Sequence, residues 1–482
     1  MTILPSTTPV VFQGWILTIV LCFGSSHGSA TLTVNQKSDQ MTELIEVGLK
    51  RSFVLRSQAY KYQNSVDQKK DAFVSFLPAV SLEAAHSNSL TNRFDPAQDE
   101  SGSSHANSLS VSGAWTLWDN GNSVYSAIRA SRAQRIEELN NRAAIRDYVS
   151  RVIDSYVSYQ LILSDIKIGS AYLEQSQWAE KEARLLVRTG VKTKLDVIEA
   201  EIQVRTAERD LERLRTQRET AELNLKFLLN QEQLPELTEI DLLTYEPYFA
   251  RDFQAEWKRI KSEDNAKLMM ESLEYRKSQL ELEQAGSTYS QAKWNYFPSA
   301  KINLSKSWDL TKNYLAEPQT NPKTLESTTL ALNLSWNLWD WFLTSRSIHR
   351  SERDFRMSEI QFHEQKFRKI TQLAGLKENY SSLLKNIDTG QLILAKAEEQ
   401  MIFSKELFKL GKIIMLKMQQ SNLTYAQARR SQAELIKSKL LLQVAFLSEL
   451  DLNLIPAKLG TFDLSSQPDS EEGNTQQELK AK

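Results

Sequence analysis

The sequence predicts a mixed, mainly α-helical fold: a tandem repeat in which two β-strands lead into long antiparallel coiled-coil helices. Three observations predict it. A Trp-x-Leu-Trp-Asp segment occurs twice, as Trp115-Thr116-Leu117-Trp118-Asp119 and Trp336-Asn337-Leu338-Trp339-Asp340, 221 residues apart. The same offset relates Tyr159 to Tyr380, Gly169 to Gly390, Gly190 to Gly411, Leu195 to Leu416 and Ala207 to Ala428. An offset that holds over about 90 residues leaves no room for insertions, as in a repeat of fixed geometry. Alternating hydrophobicity precedes each copy, and a proline-free stretch of about 70 residues with helical periodicity follows it.

Composition agrees. Hydrophobic residues make up 41% of the 482 residues and charged residues 25%, with few Gly and Pro and a mean hydropathy of −0.43; long exposed helices suit these values better than thick cores. A net charge of −1 points to neither nucleic acid nor an acidic membrane surface. The one cysteine, Cys22, excludes a disulfide framework and a cysteine metal site.

Gly14 to Gly24 form a short apolar run followed by small residues, which predicts a signal peptide over residues 1–30, although no Lys or Arg precedes the run. Val20-Leu21 before Cys22 does not supply the small residues a lipoprotein anchor prefers. No later segment has the 18 or more apolar residues of a membrane helix, so any membrane insertion must use strands.

The first structural repeat is expected over residues 31–230. A helix from about Asp39 to Ala72 carries Leu44, Val47, Phe53 and Val54 and is closed by Pro78. Strands follow at about 78–118. In the second of them Leu109, Val111, Trp115 and Leu117 alternate with Ser108, Ser110, Ser112 and Thr116, and a polar loop is expected between the two. A helical hairpin occupies 122–230: a rod from Asn122 to Thr189, roughly 100 Å at ~1.5 Å per residue, a break at Gly190, and a return helix from Lys194 to Leu229. Residues 231–262 link the repeats and, with Tyr245, Tyr248, Phe249 and Trp257, predict a packed collar beside the rods.

The second structural repeat, 263–450, has strands at about 298–340. Ile302, Leu304 and Trp308 face Lys301, Asn303, Ser305 and Ser307 across the first. In the return strand Leu330, Leu332, Leu334, Trp336 and Leu338 share one face, with Ala331, Asn333, Ser335 and Asn337 on the other. Its hairpin occupies 342–450 and turns at Gly411; residues 451–482 form a tail expected to be largely disordered.

Strands that are apolar on one face, small and polar on the other, and end in tryptophan suit a lipid-facing barrel around a watery lumen, with Trp115, Trp118, Trp336 and Trp339 at the lipid interface. Four strands cannot close such a barrel, and an open edge in hydrocarbon leaves backbone groups unpaired. Several copies of the chain must therefore contribute strands.

These features resemble the TolC-type outer-membrane efflux proteins over essentially the whole mature sequence. The duplicated unit and the Trp-x-Leu-Trp-Asp strand exits carry the resemblance, as does Gly190 followed by Leu195-Asp196-Val197 and Ala200. It implies a homotrimer with a twelve-stranded outer-membrane β-barrel on an α-helical periplasmic tunnel, located in the outer membrane and extending into the periplasm. It also implies a passive conduit in tripartite efflux or type I secretion, working with a periplasmic adaptor (membrane fusion) protein and an inner-membrane transporter. The hairpin tips, Arg188, Thr189, Gly190 and Val191 with Leu410, Gly411 and Lys412, are then the expected adaptor-docking sites. The tip also departs from the family pattern. Lys417 stands at the position matching Asp196, beside Met415, Met418 and Gln420; the expectation is a neutral or cationic tunnel constriction in place of an acidic one.

Other classes fare worse. There is no phosphate-cradling Gly loop, no HExxH and no nucleophile elbow, and His349 and His363, which a fourteen-residue gap could place on one helix face, do not by themselves make a ligand set, so neither an enzyme nor a cofactor or metal site is predicted. The remaining alternative is a non-conducting coiled-coil scaffold spanning the periplasm, which would have no need of a polar small-residue strand face opposite an apolar one.

Overall fold

The computed structural model describes residues 40–95, 98–190, 193–235, 237–310, 325–409, 412–452 and 454. The expected signal peptide with Cys22, residues 311–324 between the strands of the second repeat, Val191, Leu410, Gly411 and the polar tail lie outside the described residues. Helices α1 (Gln40–Arg51) and α2 (Phe53–Val74) lead into strands β1 (Ala79–Asp95) and β2 (Gln98–Trp118), then α3 (Asn122–Arg188) and α4 (Lys194–Leu229). Short helices α5 (Tyr248–Ser262) and α6 (Asn265–Glu271) cross to the second repeat: α7 (Leu273–Trp294), β3 (Ser299–Asp309), β4 (Leu325–Ser335), α8 (Leu343–Lys409) and α9 (Met415–Glu449). Both α3 and α8 have 67 residues, about 100 Å at ~1.5 Å per residue.

Local chemistry sets the boundaries. Ser52 splits what the periodicity reads as one helix: extended at φ −62°, ψ 124°, it caps α2 by accepting from the Leu55 amide at 3.4 Å. Ser272 caps α7 in the same way, accepting from Tyr275 at 3.2 Å. Each strand exit is fastened by its aspartate. Asp119 accepts from the Ser123 amide and hydroxyl at 2.9 and 2.6 Å, and Asp340 from the Thr344 amide at 2.7 Å and from its hydroxyl. The Thr344 hydroxyl, with the backbone amides, holds the Asp340 carboxyl below its usual range.

The four strands form one antiparallel sheet in chain order, so the repeats pair side by side through β2 and β3. The β1–β2 hairpin pairs from Ala79↔Ala114 out to Asp95↔Gln98, where the sequence suggests a polar loop. Leu90 and Phe94 are the only large apolar residues there, too few for hydrophobic periodicity to mark a strand. Two further departures lie at the other end of the sheet. A register shift between Thr116 and Trp118 sets Trp118 opposite Ala300, on the face shared by Ile302 and Leu304; strict alternation cannot foresee such a bulge. β4 stops at Ser335, opposite the first residue of β3, so Trp336 and Leu338 lie beyond the ladder.

The largest core sits where the linker meets the rods. Met41, Leu44 and Ile45 of α1, Tyr148, Val152 and Tyr156 of α3, Phe249 and Phe253 of α5, Tyr380 of α8 and Phe446 of α9 are buried together. Each such side chain contributes about 1.5–3 kcal/mol. Trp257 stacks on Phe253 and meets Tyr380 edge-on at 4.5 Å. Ion pairs brace the core: buried Lys369 binds Glu274 (2.7 Å) and Glu449, joining α7, α8 and α9, and Arg146 reaches Asp451 at 2.5 Å.

Candidate functional site: the sheet and the hairpin tips

Register makes the two sheet faces coherent across all four strands. Val80, Leu82, Leu109, Val111, Trp115, Ile302, Leu304, Leu330, Leu332 and Leu334 share one face. Leu82, Leu330, Leu332 and Leu334 on it are largely exposed. Toward the hairpin ends this face turns polar through His86 bonded to Asn107 at 2.6 Å, the Lys306–Glu326 pair at 3.3 Å, and Lys306 lying over the Trp308 ring at 5.1 Å. At the helix end it meets an aromatic belt. Trp118 and Trp294 meet edge-on at 5.6 Å, and Trp339 packs against Trp341 and Phe342. Trp115 and Trp336 also have a role the sequence does not reveal. Each indole donates to a carbonyl of the preceding helix-to-strand turn, Phe76 at 2.9 Å and Tyr296 at 3.0 Å, fixing the strand end to the helix bundle.

The opposite face carries Ser81, Glu83, Ser110, Ser112, Asn303, Ser305, Ser307, Ser327 and Asn333. Ser81 pairs with Ser112 at 2.7 Å and Ser307 with Ser327 at 2.8 Å across strands. One face is built for hydrocarbon and the other for water.

At the first hairpin tip Arg188, Thr189 and Gly190 are all exposed. The Gly190 amide donates to Val187 at 3.1 Å, and its φ of +76° is the left-handed end that glycine provides without strain. The chain restarts at Thr193, whose amide and hydroxyl donate to Asp196 at 2.9 and 2.8 Å. The second tip closes through the Lys412 amide on Leu407 at 2.9 Å, and Lys412 is exposed. Its restart has Ile414 at the cap position with no side-chain cap. Lys417 and Gln420 are exposed there, and Met415 opens α9. Met418 is not on that surface. At 1% exposure it is enclosed in the hairpin interior, where its counterpart Val197 is partly buried against Ala179, Ala183 and Ala200; burial within one chain keeps the Met418 side chain from facing a constriction.

The hairpin interiors differ. The buried pair Ala183 and Ala200 of the first is replaced in the second by Ser404 and Ser421, bonded at 2.7 Å, and Leu211 by Gln432, which donates to the Ile387 carbonyl at 3.3 Å. The Gln432 Oε1, Gln419 Nε2 and Asn422 Nδ2 atoms are buried without a hydrogen-bond partner.

Among the described residues no helix is long and apolar enough to cross a membrane, and no group of His, Cys, Asp and Glu is arranged to hold a metal ion. What the geometry defines is a channel-type envelope protein, with strands for the membrane and rods for an aqueous compartment.

The sequence matches the outer membrane efflux protein family over residues 44–231 and 268–446, and the chain belongs to that family. The fold is shared with solved outer-membrane proteins. It is similar to the open-state Neisseria gonorrhoeae MtrE outer membrane channel, with 15% identity over 86% of this chain and 89% of that one and a TM-score of 0.70. It is similar to the Campylobacter jejuni CmeC outer membrane channel, with 12% identity over 91% and 89% and a TM-score of 0.69. The outer membrane protein VceC of Vibrio cholerae aligns at 13% identity over 85% and 96%, with a TM-score of 0.69. No curated protein matches the sequence. The protein is thus an outer-membrane efflux channel, with its helices extending into the periplasm.

Proposed function

We propose that three copies of this chain join their four-stranded sheets into a twelve-stranded barrel and act as the passive conduit of a tripartite efflux or type I secretion system. The observation that carries this reading is the sheet: one coherent apolar face, one coherent polar face, and two edges, β1 and β4, that hydrocarbon would leave unpaired. Export through the lumen needs no energy from this protein; an inner-membrane transporter supplies it, and a periplasmic adaptor couples the two at the hairpin tips around Arg188, Thr189, Gly190, Val191, Leu410, Gly411 and Lys412. Lys417 and Gln420, with Met415, line the tip constriction and give it neutral or cationic character.

Single-channel recording of the purified protein in a planar bilayer, with its oligomer mass measured alongside, tests this. A trimer with small stable openings is expected. A monomer or dimer that never conducts would favour the scaffold reading.

A further inference from the structure

The internal repeat assigns residues to a contact that a single chain cannot make. Ser52 and Ser272 cap α2 and α7, and Pro78 and Pro298 follow them, so these two helices correspond with an offset of 220, while α3 and α8 correspond with 221. Within the chain α7 packs on α3. Arg129 donates to Gln291, Arg132 donates to Ser287 and pairs with Glu283 at 3.3 Å, and Trp294 donates to Tyr125 at 3.2 Å. The arginines recur on α8 as Arg350 and Arg353, both exposed and, among the described residues, without a hydrogen bond or ion pair. The positions matching Gln291 and Ser287 are Asp71 and Asp67 of α2, also exposed, with Asp67 paired to Lys70 on its own helix at 2.9 Å. Two neutral partners of the first contact are thus acidic in the second, while the acidic Glu283 corresponds to neutral Gln63.

We propose that α8 packs antiparallel on α2 of the next copy, with Arg350 on Asp71 and Arg353 on Asp67 of that copy. This rests on the trimer reading above. The operation that carries the first repeat onto the second, applied once more, carries α3–α7 onto α8 and the next copy's α2. The same register continues in apolar residues. Arg350, Arg353, Met357, Ile360 and Phe367 follow one coiled-coil seam of α8, and Met357, Ile360 and Phe367 are 52%, 68% and 73% exposed. Antiparallel pairing sets Ile360 opposite Tyr60 and Phe367 opposite Phe53, which are 46% and 64% exposed. A seam with cations beside the barrel and apolar residues below thus meets one with anions beside the barrel and aromatics below. A second copy of this chain is the occupant that supplies both.

The test is disulfide trapping in the full-length protein with Cys22→Ser as background. Asp67→Cys with Arg353→Cys should give covalent dimers and trimers on oxidation. Lys69→Cys with Arg353→Cys should not, because Lys69 faces α3 through Gln134 at 2.9 Å. Native mass is measured on the same samples. A trimer with no 67–353 link, or one linked equally through position 69, overturns the register and leaves the trimer reading intact; a monomer overturns both. In a second measurement, Asp67→Arg with Asp71→Arg should lower the trimer fraction in detergent, and Arg350→Asp with Arg353→Asp should restore it. Failure of the reversed pair to restore it counts against the ladder.

Discussion

Asp196 accepts hydrogen bonds from both the amide and the hydroxyl of Thr193, and the residues 221 positions later, Lys417 and Ile414, can form no such pair. The first return helix therefore starts capped. The second starts without a side-chain cap and with a cation in its first turn, where the helix dipole disfavours positive charge.

Copying the cap tests what Lys417 does. Ile414→Thr with Lys417→Asp should stabilise the start of α9 by about 1 kcal/mol, read as slower amide hydrogen exchange over its first turn. If Lys417 lines the conduit, the same variant shifts single-channel selectivity toward cations. Slower exchange with unchanged selectivity would make Lys417 a solvated helix residue and remove it from the constriction.

The serine pair inside the second hairpin predicts a coupled response. Ser404→Ala or Ser421→Ala alone leaves a buried hydroxyl without its partner and should cost about 1–3 kcal/mol. The double variant, which reproduces the buried Ala183–Ala200 contact, should be nearly neutral. Thermal unfolding of the four proteins in detergent gives the cycle; additive losses would mean that the two hydroxyls do not interact.

Much of this was legible in the sequence because two strong periodicities govern it. The Trp-Asp strand exits, Gly190 and the alternating strands each report a local backbone requirement. What stayed hidden depends on partners distant in the chain. Trp118 reaches the apolar face through a bulge defined by β3, β4 ends at Ser335 because β3 begins opposite it, and the outer β1–β2 hairpin has no apolar stripe to reveal it. Met418 directly follows exposed Lys417, and only the packing of the hairpin shows that its side chain is buried. The proposed contact of Arg350 and Arg353 is hidden for a similar reason: the helices before the strands repeat at 220, not 221, so a single offset does not align them with α3 and α8.

Tyr148 predicts a base-sensitive core. Its hydroxyl donates to the Leu228 carbonyl at 2.7 Å, and burial pushes its pKa up to about 12. The protonated phenol is thus favoured more in the folded than in the unfolded chain, where the value is about 10. Its stabilisation is complete below pH about 10 and is lost as pH rises toward 12. Tyr148→Phe should cost about 1 kcal/mol at neutral pH and flatten the stability loss in that alkaline window, measured as unfolding midpoints against pH. A variant with the wild-type alkaline slope would assign that slope to another group.

Trp341 and Phe342 sit at φ of +54° and +64°, where the first repeat has Asn120 and Gly121 at +59° and +74°. Asn and Gly tolerate the left-handed region, but for bulky residues it is a strained conformation worth about 1–3 kcal/mol each. Both rings are exposed and both pack on Trp339 at the helix end of the lipid-facing strands, the depth at which aromatic side chains favour the membrane interface. The strain and the anchoring should separate on substitution. Trp341→Asn with Phe342→Gly is expected to raise the unfolding midpoint in detergent, where no bilayer rewards the rings. In lipid vesicles the same variant should lose its advantage and quench less with interfacial fluorescence probes. A gain in stability of equal size in detergent and in vesicles would show that the two rings contribute nothing to membrane seating, and the strain would then have no offset in the assembled protein.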